Sequence, residues 1–412
     1  VVAPVVIAGA VSPGHVISTR AARMVAATLG LLVAGFVLQL LVYGHGGHTA
    51  ISDLPRVFLH RGVRPDAPPY LDKVVEYPVG AGLLLYLAAL VSPTPFGVLV
   101  VTALASSALC VAITVALERR VGQRAWRWAL GAPVMLYAFQ NWDVFAVAAM
   151  LVGVLAWERR RDVVTGAALG LGAAIKLFPG VALPPLAARR WAQGDRRGAV
   201  LSLGAAGAVV VALNLPVSVA NPAGWRWPFA FQSARQATWG SAEFWLLRMV
   251  GAPVHGATGA TLANALSFVA LAGGLGGLTV LAWRRPLTAA GAAGAAVAIF
   301  LLVNKVYSPT YDLWLVVFFA LLPVPRREWL AFCAVDIAMF ATVYGYFHWG
   351  VSGATVHLVL PFLVATRSAV LVLFVTRAVR DRGVPAAVGV RPRDARVGEP
   401  HPSRPAVLSP AR

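Results

Sequence analysis

The chain has 412 residues, is 59% hydrophobic and only 12% charged, and has a mean hydropathy of +0.74. So little polar surface cannot cover so apolar a core in water, which excludes a soluble globular domain and makes lipid the solvent. The net charge of +19 does not point to nucleic acid, because 32 arginines stand in short clusters between apolar runs, with no basic domain and no aromatic–basic alternation.

Arginine clusters at 20–23, 119–127, 159–161, 189–197, 284–285, 326–327 and from 377 onward are expected on the cytoplasmic side. With them placed there, the first apolar run, 24–43, leads outward, and 44–95 becomes the first external loop. That loop holds Asp53, Asp66, Asp72 and Glu76, four of the 16 acids in the chain. The run 77–92 is short and ends in Ser-Pro-Thr-Pro, so it is laid along the outer surface while 96–117 crosses. Further crossings are expected at 128–140, 144–157, 163–175, 181–188 and 199–219. A second large external loop, 220–261, carries tryptophans and short amphipathic stretches. The last crossings fall at 262–283, 287–303, 313–322, 329–347 and 356–376.

The expected fold is an all-α polytopic membrane protein over 1–376, with about twelve transmembrane helices, external juxtamembrane helices and both termini inside. The first twenty residues lack the charged start and cleavage site of a signal peptide. Residues 377–412 are rich in Pro and Arg and read as a disordered cytoplasmic tail. Cys110 and Cys333 both fall in apolar runs, and no metal-ligand spacing occurs.

The segments 128–140, 144–157 and 163–175 are shorter than the hydrocarbon core is thick. Fourteen helical residues span about 21 Å, against a hydrocarbon core of about 30 Å. Their polar tips, "QNWD" and "IKLFPG", must lie below the outer lipid surface, where irregular backbone is tolerable only beside a protein-lined cavity. An outward-facing cleft under the acid-rich loop follows. The only three lysines, Lys73, Lys176 and Lys305, all fall on this outer side, as do Asp143, Glu243 and Asp312. A carboxylate can take a proton from an attacking hydroxyl. A cation can hold a departing phosphate. A lipid-linked sugar phosphate fits that mixture.

Four motifs carry a resemblance: "SDLPRVF…PY…VEYP", "NWDVFAV", "GLGAAIKLFP" and "NKVYSPTYDLWL". Over about residues 50–320 the chain resembles glycosyltransferase family 87 of the GT-C superfamily, and within it the polyprenyl-phosphate-mannose-dependent mannosyltransferases of actinobacterial envelopes. The resemblance implies a GT-C-like bundle in the plasma membrane, inverting transfer of mannose on the exterior face, a glycolipid or glycan acceptor, and no nucleotide sugar, metal or other cofactor. By motif position it makes Asp53 the base. Arg61, Tyr70, Glu76, Tyr77, Asn141, Asp143, Lys176, Lys305 and Tyr311 are the substrate-binding candidates. Val79 stands where the family tends to have a second Pro, and Thr310 where it tends to have Gln.

Several of these acids and cations have a plainer alternative. Asp53 in "SDLP" can cap a helix. Glu76 can serve a helix dipole. Asp143, helped by Asn141, can cap the returning helix. Lys176 can snorkel to the interface. Asp66 and Asp72 read as solvated charges paired with Arg64 or Lys73. Asp336, in mid-helix, is expected to meet a hydroxyl or amide rather than substrate. Two other functions stay open: a transporter or flippase of lipid-linked sugars, although no clear internal repeat is present, and a non-catalytic envelope scaffold.

Overall fold

A computed structural model describes residues 18–43 and 51–382. The expectations for the chain's first residues, for 44–50 and for the tail beyond 382 lie outside the described residues. Within them the chain is helical, with two isolated β-bridges in the loop after Arg61.

The first helix, α1 (Thr19–Tyr43), packs on α4 (Pro95–Val121). The buried hydroxyls of Thr28 and Thr114 meet between them at 2.9 Å. Helix α4 starts where Thr94 accepts from the Gly97 amide and Pro95 fills the first turn, a position that needs no amide donor. It ends at Gly122, whose φ of 58° relieves the chain of a Cβ clash. Between these helices in sequence come α2 (Asp53–Arg61) and α3 (Val79–Val91). Helix α3 buries one face, including Val79, Leu85 and Ala89, and exposes Leu87, Leu90 and Val91.

The segment 128–140 does not form one helix. A single turn, Trp126–Ala129, breaks at Gly131, and α5 (Ala132–Tyr137) follows. Then come the hairpin α6 (Asp143–Glu158) and α7 (Asp162–Ile175), a short α8 (Leu183–Ala192) and the long α9 (Arg196–Ala220). Helices α7 and α9 meet backbone to backbone. A Cβ on Gly166 would stand 1.9 Å from the Ser202 carbonyl oxygen, and one on Gly170 2.6 Å from that of Ala206. Close approach through small residues is how helices gain contact where lipid supplies no hydrophobic drive.

The loop that follows contains α10 (Pro222–Ala234) and α11 (Ala242–Met249). It leads to α12 (Gly256–Arg284), α13 (Ala289–Leu302), α14 (Leu313–Leu321), α15 (Arg326–His348) and α16 (Gly353–Ala378). Every residue of α14 is buried, and the alanine-rich α13 lies beside it, with Gly294 against the Phe318 ring.

Among the described residues, six helices (α1, α4, α9, α12, α15 and α16) are long and apolar enough to cross a membrane. The other expected crossings fall on helices of 16 residues or fewer. Arginine pairs gather at one end of the bundle: Arg20–Glu118, Arg120–Glu158 and Arg190–Asp162, each at 2.8 Å, and Arg377–Glu328 at 3.0 Å. Helix α6 carries Glu158 at that end and Asp143, which pairs with Lys176, at the other.

Candidate active site

The site begins with the start of α2. Ser52, not Asp53, is the N-cap: its hydroxyl accepts from the Leu54 amide and lies 2.8 Å from the Phe139 carbonyl oxygen, to which it can donate. The Asp53 amide donates to the Gln140 carbonyl at 2.8 Å. The backbone of α2 is therefore fastened to the loop between α5 and α6, and the Asp53 carboxylate is left free of capping duty. It is 28% exposed, pairs with Arg56 one turn on, and accepts from the Tyr77 hydroxyl at 2.9 Å. Burial, with the Asp53 charge next, pushes the Tyr77 phenol well above its ordinary range, so Tyr77 stays a donor. The Asp53 charge raises Arg56 in turn.

Tyr77 joins Asp53 to a second ion pair. Its ring meets Trp142 edge-on at 5.0 Å, and Lys176 Nζ lies 5.0 Å from its centre. Lys176 also faces the Tyr311 ring at 5.6 Å and pairs with Asp143 at 3.1 Å. Asp143 is fully buried and Lys176 nearly so. Asn141 accepts from the Asp143 amide, closing an Asx turn at the start of α6. Tyr311 stacks on Trp314, which stacks on Phe178, so the Lys176 side chain enters between aromatic faces held by three chain segments. The structure thus brings Asp53, Tyr77, Asn141, Asp143, Lys176 and Tyr311 into one cluster.

The other candidates lie in different contacts. Arg61 and Glu76 pair with each other at 2.7 Å, part-exposed, with the Arg61 guanidinium over the Phe231 ring of α10. Tyr70 is buried, has a φ of 67°, and hydrogen-bonds the carbonyls of Tyr77 and Pro78, which fixes the loop that presents Tyr77. Lys305 is buried and donates to the carbonyls of Ser233 and Arg235, tying the end of α10 to the 304–312 segment. Asp66, Asp72 and Lys73 are exposed, and neither acid pairs with Arg64 or Lys73. No grouping of His, Cys, Asp and Glu suited to a metal occurs among the described residues.

The model of glycosyltransferase family 87 matches residues 76–309, more than half of the chain. The chain belongs to this family. No match was found among the curated proteins or among the solved structures. The family-87 span contains Glu76, Tyr77, Asn141, Asp143, Lys176 and Lys305; Asp53, Arg61, Tyr70 and Tyr311 flank it. The protein is a membrane glycosyltransferase by family and by its six long apolar helices.

Two residues of the site, Arg56 and Tyr344, were not singled out in the sequence. Arg56 is a clear miss, since its place three residues after Asp53 puts the two on one helical face. Tyr344, in the last turns of α15, lies within electrostatic reach of Asp53, and its ring stacks on that of His348. No local signal in "VYGYFHWG" marks Tyr344.

Proposed function

We propose that this glycosyltransferase moves a sugar, mannose by its resemblance, from a polyprenyl-phosphate donor to a glycolipid or glycan acceptor on the exterior face of the plasma membrane. Asp53 is the base. Its carboxylate accepts the proton of the acceptor hydroxyl, whose oxygen attacks the anomeric carbon from the face opposite the phosphate. The carbon–oxygen bond to phosphate breaks, its electron pair leaves on the lipid phosphate, and the anomeric centre inverts. Arg56 and Lys176 are the cations of the cluster closest to that carboxylate, and they would stabilise the charge of the departing phosphate. Arg61 and Lys305 remain candidates for contact with the rest of the lipid headgroup, and Glu76 for a sugar hydroxyl.

One observation carries this reading: a partly exposed carboxylate is connected through a single tyrosine to a buried lysine between aromatic rings. The aromatic faces suit a sugar ring as well as a cation. The short helices around it would line the cleft, and with the long ones they complete about twelve crossings.

The test is transfer by purified Asp53→Asn protein, given donor and a lipid acceptor. The amide keeps the size of the side chain and an oxygen that can accept from Tyr77, so loss of turnover isolates the proton acceptor. The expected fall in kcat is about a hundredfold to ten-thousandfold. Full turnover would remove Asp53 from the mechanism. Movement of labelled lipid across liposomes without sugar transfer would favour the transporter instead.

A further inference from the structure

Apart from the Asp53–Lys176 cluster, the bundle buries a second set of charged groups. Asp312 ends the short turn Pro309–Asp312, Asp336 lies midway along α15, and Arg367 lies midway along α16. All three are buried, the two acids completely. Tyr307 donates to Asp312 Oδ1 at 2.5 Å, and Tyr137 of α5 donates to Asp336 Oδ1 at 2.8 Å. The Arg367 guanidinium carbon lies 3.4 Å from the centre of the Tyr307 ring, and Nη2 donates to the Gly240 carbonyl.

The accounting of hydrogens does not close with both acids ionised. The two carboxyl groups are neighbours that interact directly with each other. Each keeps one oxygen, Oδ2, buried and without any other partner. An ionised carboxylate only accepts, so two of them in contact satisfy nothing and repel. A single proton removes both faults, because one carboxylic acid then donates to the other's free oxygen.

We propose that Asp312 and Asp336 share one proton, carried by Asp336, and that this protonated pair holds the 307–312 turn in the place where Tyr311 meets Lys176. The position of Arg367 assigns the proton. It lies over the ring of the tyrosine that donates to Asp312, so its charge balances an ionised Asp312. Four elements are then tied together: α5 through Tyr137, α15 through Asp336, the turn through Asp312 and Tyr307, and α16 through Arg367. Both acids act on the site through Tyr311, so they are positioning residues. Only the kinetic part of this inference rests on the functional reading above.

Infrared spectroscopy of the full-length protein in nanodiscs, with unfolding midpoints measured beside it, tests the proposal. A carboxylic-acid carbonyl band is expected at neutral pH in the wild type and is expected to vanish in Asp336→Asn. That variant should keep the wild-type midpoint and kcat, because an amide can donate where the acid did. Asp312→Asn should lower the midpoint, since it leaves Arg367 without its counter-charge, and should lower kcat about tenfold to a hundredfold. Asp312→Asn combined with Arg367→Met should recover the midpoint, which keeps the test decisive if the single variant folds poorly. A spectrum that Asp336→Asn leaves unchanged, or equal damage from the two single Asn variants, would overturn the proposal. The spectrum and the midpoints decide it even if no sugar is transferred.

Discussion

Replacing Lys176 by Met keeps the apolar stem of the side chain and removes its charge. Asp143, fully buried at 3.1 Å from Lys176 Nζ, then loses its counter-ion. At an effective dielectric of about 20, the pair's direct attraction at this separation is about 5 kcal/mol. The loss cannot rise much above the cost of neutralising the stranded acid. From an ordinary aspartate value, taking up a proton at pH 7 costs about 4 kcal/mol. The contacts of the ammonium with the Tyr77 and Tyr311 rings add about 0.5–2 kcal/mol. Removing the buried ammonium also removes its own desolvation cost, so a destabilisation of about 3–5 kcal/mol is expected for Lys176→Met, as for other buried pairs deprived of one partner. Adding Asp143→Asn should restore most of it, because no uncompensated charge remains. The assay is detergent-induced unfolding in mixed micelles, followed by tryptophan fluorescence, for the wild type, both single variants and the double variant. A cost below about 1 kcal/mol for Lys176→Met, or a double variant as unstable as the two singles added together, would refute the pairing.

Two further outcomes are expected. Ser52→Ala removes the cap of α2 and its contact with the Phe139 carbonyl. It should cost about 1–2 kcal/mol and lower kcat more than it raises KM, because Asp53 loses its anchor; unfolding and initial-rate measurements check the two effects separately. Glu243, in α11, is buried with only Ser267 as a side-chain donor, and that burial raises its carboxyl above the ordinary range. The folded protein therefore binds this proton more tightly than the unfolded chain. Its stabilising effect is complete below the ordinary glutamate value of about 4.3 and is lost as pH rises through the raised one. Glu243→Gln does not titrate, so its midpoint should gain on the wild type as pH rises; a constant gap would contradict this.

Much of the cluster was legible in the sequence because it lies at chain reversals. Short apolar segments located the tips carrying Asp143 and Lys176, the alternation of crossings put Tyr311 at another outward tip, and their convergence needed only a common bundle. The mid-helix Asp336 was also foreseen as a partner for a hydroxyl, which Tyr137 supplies. What could not be read depends on contacts between distant segments. The serine that caps α2 is chosen by the carbonyls at 139 and 140, far along the chain, and only that choice releases the neighbouring aspartate. Lys305 stood out because lysine is rare here, and nothing in the sequence showed that its ammonium donates to the carbonyls of Ser233 and Arg235. Tyr77 gave no hint that it bridges two ion pairs, since that role depends on Lys176 reaching its ring. The break at Gly131 was hidden by unbroken hydropathy, which registers apolar character and not helix continuity.

The fastening of Asp53 to the 139–140 carbonyls, and of Lys176 beneath Tyr311, has a bearing on biosynthesis. The groups that meet here enter the membrane at widely separated moments of translation, and the first must wait for the last. A ribosome-bound fragment that ends before the 307–312 turn displays its carboxylate and its lysine without the aromatic face that completes their enclosure. Partly made copies would therefore be silent, and competence would arrive in a single step late in synthesis.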